Sequence, residues 1–284
     1  QTMTGIVRFG LVALAVLMAC PKANAQSSYQ TGQNASPAYE GWEENEDGSF
    51  NMVFGYMNRN WLEEMDVPIG PGNNISPGPM DQGQPTHLLP RRNRYVFKVR
   101  VPPDFGDQEL IWTLTTKGKT EAAYGTLRLD YKLDYMVIMS ETGSIGAGFT
   151  TEASRANTPP TITLVGDPVR RVGVGQPVTL VARITDDDLP RVGAIRTPAE
   201  SDSIPTLPAA ALRPPGRVTV QKVNGLHLSW FVFRGESPAK FDPPQIKTWE
   251  DTRAGANSPW APLFRRPPIP EDGEWTVRVT FDQP

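Results

Sequence analysis

The sequence predicts an all-β protein made of two tandem antiparallel β-sandwiches, the second of them truncated at its C-terminal end. Three observations indicate this class. Proline and glycine are frequent, at 29 and 25 of 284 residues, and they interrupt the chain at intervals, as turn residues do. Several segments alternate apolar and polar residues with the period of two that is typical of strands. No long segment has the apolar period of a helix.

The first 25 residues have the composition of an export signal. Arg8 precedes the apolar run FGLVALAVLMA, and the small residues Ala23 and Ala25 mark a cleavage site before Gln26. We therefore expect an exported protein that is periplasmic, secreted or on the cell surface. Anchoring as a lipoprotein through Cys20 is the alternative, because residues 17–20 resemble a lipobox. No later run approaches the ~20 apolar residues of a spanning helix, so we expect no membrane span in the mature chain.

Shifts in composition divide the mature chain into two domains. We predict a polar N-terminal segment at 26–37, a first sandwich at 38–140, a linker of small residues at 141–158 and a second sandwich at 159–284. The chain contains a single cysteine, so no disulfide bond forms within it. Both domains must therefore be stabilised by the packing of their sheets.

The first domain begins with a predicted hairpin. In SFNMVFGYMN the residues Phe50, Met52, Phe54 and Tyr56 alternate with others, which indicates a strand with one buried face. The turn sequence NEDG lies directly before it, so YEGWEE is the expected partner. The following residues 67–90 hold so many prolines and glycines that we expect a long loop there.

Three more strands are predicted in this domain. RYVFKVRVP places Tyr95, Phe97, Val99 and Val101 on one face. Residues 110–131 form a second hairpin. Its first strand carries Leu110, Trp112 and Leu114, its turn lies at Lys117 and Gly118, and its second strand carries Leu127, Leu129 and Tyr131.

The second domain shows the same alternation. The segments PPTITLVG, QPVTLVARIT, GRVTVQKV, GLHLSWFVFRG and EWTVRVTF are predicted strands. Val178, Leu180, Ala182 and Ile184 are expected to point inward in the second of them. In the last, the inward residues are Trp275, Val277, Val279 and Phe281.

Four short motifs occur in order in this domain: NTPP at 157–160, GQPVTL at 175–180, DDDLP at 186–190 and LSWFV at 228–232. In this order they resemble the immunoglobulin-like modules related to PKD domains in bacterial exported proteins. Asp188 stands where that family usually has glycine, and the stretch after Leu189 is longer and richer in proline. The resemblance implies an immunoglobulin-like fold and little about function. The first domain resembles the N-terminal parts of exported bacterial proteins, which implies no activity.

Three consecutive carboxylates, Asp186, Asp187 and Asp188, follow the predicted strand QPVTLVARIT. Aspartate side chains form turns by accepting bonds from nearby backbone N–H groups, and the proline in DDDLP favours a turn. Closely spaced aspartates can also supply several of the six to eight oxygens that calcium requires. A turn is the first interpretation and a calcium site is the alternative. We expect no other cofactor.

No catalytic residue is predicted. The acidic residues at 43–47 and 63–66 lie in polar runs beside turns, where solvated carboxylates are the rule. The two histidines, His87 and His227, are too few for a zinc site built with cysteine, and no GxSxG motif is present. We expect His87 to be an ordinary loop residue and His227 to face solvent.

The seven tryptophans fall into two groups. The first group has the inward phase of predicted strands and is expected in the core: Trp112, Trp230 and Trp275. The second group lies near turns or in loops, where a ring can stack on a sugar or a partner surface: Trp42, Trp61, Trp249 and Trp260. Packing at the edge of the core is the alternative for this second group.

The net charge of the chain limits the kinds of partner that it can bind. A net charge of −3 and a pI near 5.6 supply no basic field, so nucleic acid is excluded as a partner. We expect a non-enzymatic module of the cell envelope or extracellular space that serves adhesion, spacing or assembly. Its partner would be a cell-envelope protein or a polysaccharide. The alternative is the accessory carbohydrate-binding region of a secreted hydrolase whose catalytic domain lies beyond residue 284.

Overall fold

The structure is a computed structural model that describes residues 29–134, 137–138, 156–189, 226–235, 238–247 and 268–283. These residues form twelve strands, and every strand pair within their sheets is antiparallel. The predicted all-β class is therefore confirmed. In the described part of the chain no helix has the length and the apolar composition needed to cross a membrane.

Residues 29–134, called the first half below, contribute eight strands in three sheets. One sheet has the order β1-β2-β6, with strands Ala35–Glu44, Phe50–Asn58 and Arg91–Val101. The second has the order β4-β7-β8, with strands Asn73–Ser76, Leu110–Thr116 and Lys119–Gly125. The third, called the ribbon below, pairs β3, Met65–Asp66, with β5, His87–Leu88.

The two three-stranded sheets of the first half pack against each other through an aromatic core. Phe54 of β2 and Phe97 of β6 stack with their ring centroids 5.4 Å apart. Trp112 of β7 meets both rings edge-on, at 6.2 and 5.0 Å. All three side chains are buried, so their predicted inward positions are confirmed. Aromatic pairs of this geometry add about 0.5–1.5 kcal/mol each to the stability gained from burial.

Both predicted hairpin turns of the first half are confirmed. β1 and β2 pair across residues 45–48, and β7 and β8 pair across Lys117 and Gly118. Lys117 and Gly118 both have positive φ, at 49° and 74°, which is the backbone geometry that tight two-residue hairpins favour.

The strand predicted to return through Leu127, Leu129 and Tyr131 is wrong. On one side β7 pairs with Lys119–Gly125 and on the other with β4, so the β7–β8 ladder has ended before Leu127 is reached. Leu129 and Tyr131 lie in a short 3-10 turn instead, where Leu129 is 80% exposed. The apolar alternation in the sequence continues beyond the end of β7, where there is no strand left for these residues to pair with.

The stretch 67–90, predicted as a loop without strands, contains β4 and His87–Leu88. Two buried amides order it. The Asn73 side chain donates to the backbone oxygens of Val67 and Pro85, both at 2.8 Å, and accepts a bond from Trp112 Nε1 at 2.9 Å. The Gln84 side chain donates to Met80 O at 2.6 Å. These amides satisfy backbone groups that a proline-rich segment cannot pair in a ladder.

Residues 156–283, called the second half below, form one four-stranded sheet among the described residues. Its order is β11-β12-β10-β9, with strands Ala239–Asp242, Glu274–Phe281, Val178–Thr185 and Thr161–Leu164. Three of these strands, β9, β10 and β12, were predicted and are confirmed. The immunoglobulin-like sandwich expected here stays a prediction.

One predicted strand of the second half is wrong. Residues 226–235, from GLHLSWFVFRG, form no strand of this sheet. They lie against the first half, and β11 takes the edge position beside β12. The segment GRVTVQKV lies outside the described residues, as does the predicted linker except for 156–158.

Candidate functional site

The backbone of residues 226–235 joins the second half to the ribbon of the first. Phe233 O accepts bonds from two N–H groups, those of Thr86 at 3.1 Å and His87 at 3.2 Å. The Gly235 N–H donates to Thr86 Oγ1 at 3.1 Å. Buried or half-buried backbone groups of this kind need partners, and Phe233 O satisfies the N–H groups of Thr86 and His87 beside the ribbon. We call this contact, together with the contacts of 238–247, the junction.

Two basic side chains strengthen the junction. The Arg234 guanidinium donates to both carboxylate oxygens of Asp81, at 3.0 and 2.7 Å, and its Nε donates to Gln84 O at 2.9 Å. This bidentate bond lowers the pKa of Asp81. The Lys247 side chain is buried, and its ammonium donates to the backbone oxygen of Pro90. Charged groups from the second half are therefore used to bind backbone and side chains of the first.

A pocket of about 390 Å³ lies at the junction. Trp61, Leu62 and Leu89 contribute apolar surface from the first half. Phe231 and Phe241 contribute it from the second half. The volume falls in the range of small-ligand pockets, and apolar walls with a few polar groups are typical of such sites.

His87 lies in the pocket wall between two carboxylates. Its Nδ1 is 2.7 Å from Asp66 Oδ1, and its Nε2 is 3.0 Å from Glu64 Oε2. Burial by itself opposes the charged ring, but the bonds to Glu64 and Asp66 outweigh it and raise the pKa of His87. The side chain is 11% exposed. The site therefore favours an imidazolium that donates from both nitrogens.

Trp61 lies beside this group and is half-buried. The Arg91 guanidinium carbon lies 4.4 Å from the centroid of its ring, within the range of a cation–π contact. The backbone N–H of Trp61 donates to Tyr29 O at 3.0 Å. Of the four tryptophans predicted to stack on a ligand, Trp61 is the one that the described residues place in a pocket.

The polar side chains of this pocket are engaged in bonds within the protein. Both ring nitrogens of His87 are engaged, and the ammonium of Lys247 is bonded to backbone. Among the described residues that line the pocket, none is serine, threonine or cysteine. The two carboxylates lie at opposite edges of the imidazole, so the three groups do not converge on one point as metal ligands do.

The three aspartates predicted as a turn or a calcium site are exposed and lie at the end of β10. Asp187 accepts bonds from the N–H and the hydroxyl of Thr158, both at 2.7 Å, and from the Leu189 N–H at 2.9 Å. The bonds from Thr158 are the main cause of the lowered pKa of Asp187. Asp186 accepts a bond from the Asp188 N–H at 3.3 Å.

This geometry is that of a turn. Asp188 has a φ of 58°, a value that aspartate tolerates better than most residues. Within the described residues no three side chains among His, Cys, Asp and Glu are grouped so as to hold a metal ion. The structure therefore gives the calcium alternative at Asp186, Asp187 and Asp188 no support.

The remaining stacking candidates are placed differently from Trp61. Trp42 is 4% exposed, its ring meets Phe50 edge-on, and its Nε1 donates to Arg128 O at 2.9 Å. Because no face of this ring is open, Trp42 acts in packing and not in stacking on a ligand. Trp249 and Trp260 lie outside the described residues.

Nothing in the sequence indicated that His87, Glu64 and Asp66 form a group. His87 was expected to be an ordinary loop residue, and the two carboxylates were expected to be solvated. β3 and β5 have two residues each, which is too short for any periodic pattern. The expectation for His227 is also wrong, since it is half-buried with its ring 6.3 Å from that of Trp275.

Comparison of the chain with protein-family models, with curated proteins and with solved structures finds no match in any of the three.

Proposed function

We propose that this chain is a non-enzymatic exported module of the cell envelope or extracellular space, and that it binds a cell-envelope partner through the pocket at the junction. Such binding would serve adhesion, spacing or assembly. The composition of residues 1–25 supports export.

The main support for the proposal is that the pocket presents accessible apolar side chains. Its apolar side chains, such as Leu62 and Phe241, are half-buried or exposed, whereas its polar groups are engaged in bonds that hold the fold together. Apolar surface gathered in a concave site is typical of binding sites. Because the pocket takes residues from both halves, it also depends on their relative position, as a binding site in an assembly module would.

A second function is favoured by Trp61. An indole at the side of a pocket can stack on a sugar ring, which would suit the accessory carbohydrate-binding region of a secreted hydrolase. The contact of Arg91 with the Trp61 ring leaves less of the indole for a sugar. We therefore rank polysaccharide binding second.

The test is retention of the full chain on isolated cell envelopes and, separately, on insoluble polysaccharides. Ala239→Trp places a large ring in the pocket, because Ala239 lines it from β11. Tyr124→Ala is the matched control, since Tyr124 is an exposed aromatic residue on β8 away from the pocket lining. We expect the wild type and the control to be retained on envelopes, and Ala239→Trp to lose about tenfold or more in affinity.

Melting temperatures of the variants establish that each is folded. If Ala239→Trp is unfolded, Phe231→Ala, which removes apolar wall without adding bulk, takes its place. Equal retention of the pocket variant and the wild type contradicts a role for the pocket. Retention on a polysaccharide alone favours the second function, and retention on neither material contradicts both.

A further inference from the structure

The arrangement at His87 places two like charges on either side of one titratable ring. Glu64 and Asp66 are two residues apart in sequence, and each accepts a bond from a different edge of the same imidazole. Without the positive charge between them the two carboxylates repel each other, and a neutral ring can donate to only one of them. We call His87, Glu64 and Asp66 the triad. Only when the His87 ring is protonated can it donate a hydrogen bond to both carboxylates of the triad.

The other charged groups near His87 are already engaged. From the second half, Arg234 is bound to Asp81 and Lys247 to Pro90 O. From the first half, Arg91 lies over the Trp61 ring. The hydroxyl of Tyr56, whose pKa burial raises, accepts a bond from the Leu89 N–H at 2.8 Å. Of these groups, His87 is the one whose unperturbed pKa, ~6.5, lies in the neutral range.

The backbone of His87 connects this ring to the junction. Its N–H and that of Thr86 both donate to Phe233 O, and its strand β5 pairs with β3, which carries Asp66. Glu64 and His87 also line the pocket. A movement of Glu64 or of the ribbon would therefore alter the pocket wall and the contact between the two halves together.

We propose that His87 is a pH-responsive latch. Its imidazolium holds Glu64 and Asp66 at the pocket wall, and loss of the proton releases one carboxylate and loosens the contact of the ribbon with Phe233. The latch regulates the pocket on which the proposed function rests, although its operation requires no ligand.

The direction of the effect follows from linkage. The pKa of His87 is higher in the folded chain than in the unfolded chain. The stability that the triad contributes is therefore fully present below the unfolded value of ~6.5, and it is lost as the pH rises through the folded value. The junction should be tight in mildly acidic solution and looser in alkaline solution.

Histidine NMR tests the titration directly. The chain has only two histidines, so the Cε1–H region holds two titrating signals, and His227→Gln assigns them. We expect the His87 signal to titrate above pH ~6.5 and to move to lower pH in Glu64→Gln and in Asp66→Asn. A His87 signal that titrates at or below this value overturns the latch.

Hydrogen exchange tests the consequence. Protection factors, corrected for the intrinsic pH dependence of exchange, are measured for the Thr86 and His87 amides across the same pH range, with the Trp112 amide of β7 as reference. We expect protection at Thr86 and His87 to fall severalfold as His87 deprotonates and the reference to stay constant. Protection that is unchanged through the titration overturns the latch.

Two variants separate a latch from a merely structural histidine. In His87→Gln the protection of the Thr86 amide should no longer change with pH, whereas in His227→Gln it should change as in the wild type. Retention on cell envelopes, measured at pH 6 and pH 8, separates this inference from the proposed function. If amide protection at Thr86 and His87 changes with pH but the chain is not retained on envelopes, only the proposed function is contradicted. If the chain is retained but the protection does not change with pH, only the latch is contradicted.

Discussion

The two halves of the molecule differ in how their apolar side chains are covered. In the first half, Phe54, Phe97 and Trp112 are buried between two sheets. In the second half, Ile162 and Leu164 of β9 are 59% and 52% exposed among the described residues. Both regions have the same alternating sequence pattern. Even where alternation correctly predicts a strand, it does not identify what packs on each face of that strand.

The largest expected effect concerns the core of the first half. Trp112→Ala removes a fully buried ring that contacts Phe54 and Phe97, and it should lower the free energy of unfolding by about 3–5 kcal/mol. Ile162→Ala, the control on the exposed strand of the second half, should change it by less than about 0.5 kcal/mol. Urea denaturation measures both. Similar losses of unfolding free energy in the two variants would mean that Ile162 is as well buried as Trp112, which would contradict the difference between the halves.

The next effect concerns the buried amide that orders residues 67–90. Asn73→Ala leaves Trp112 Nε1 and the backbone oxygens of Val67 and Pro85 without their partner. It should therefore lower the free energy of unfolding by about 2–3 kcal/mol. Asn74→Ala is the control, because Asn74 donates at 2.9 Å to the exposed Pro71 O. Its cost should be below about 1 kcal/mol. A control as damaging as Asn73→Ala would contradict the ordering role of Asn73.

A smaller effect is expected at the junction. Arg234→Ala removes the bidentate contact with Asp81, and because both side chains are partly exposed it should lower the free energy of unfolding less than Asn73→Ala does. Amide exchange at residues 81–87 should rise, while exchange in β7 and β8 should stay as it is. Unchanged exchange at 81–87 would show that the halves are not joined through Arg234.

The smallest effect concerns acid stability in the first half. Hydrogen bonding to Lys119, then to Ser36 and to a smaller extent to Asn34, lowers the pKa of Glu121 to about 2. Stability from this carboxylate is present above its unfolded pKa of ~4.3 and is lost as the pH falls toward 2. Glu121→Gln should therefore flatten the acid limb of a stability–pH curve slightly. A curve identical to that of the wild type would contradict this assignment.

Much of the fold could be predicted because its strands are long and amphipathic. The inward phases of Phe54, Phe97, Trp112 and Trp275 followed from alternation, and the tight turn at Lys117 followed from the glycine after it. The two wrong strand predictions have one physical cause. Residues 226–235 and 127–131 alternate as strands do, but whether a strand forms depends on a partner that local sequence does not identify.

The candidate site could hardly be predicted at all. Glu64, Asp66 and His87 meet through a ribbon of two-residue strands, and the opposite wall of the pocket comes from residues more than a hundred positions later. Only Trp61 had been singled out, as a ring near a turn. The turn at Asp187 was predicted because aspartates before a proline favour a turn, and the bond from the Leu189 N–H is local. The two bonds from Thr158, 29 residues away in sequence, were not predicted.

Hydrogen-exchange mass spectrometry of the full chain, with and without isolated cell-envelope fragments, tests most directly the claim that the pocket at the junction is the binding site. We expect the fragments to slow exchange at 61–64, 87–90 and 238–247 and to leave exchange in the β7–β8 hairpin unchanged. Slowed exchange confined to the hairpin or to β9, with none at the junction, would contradict it.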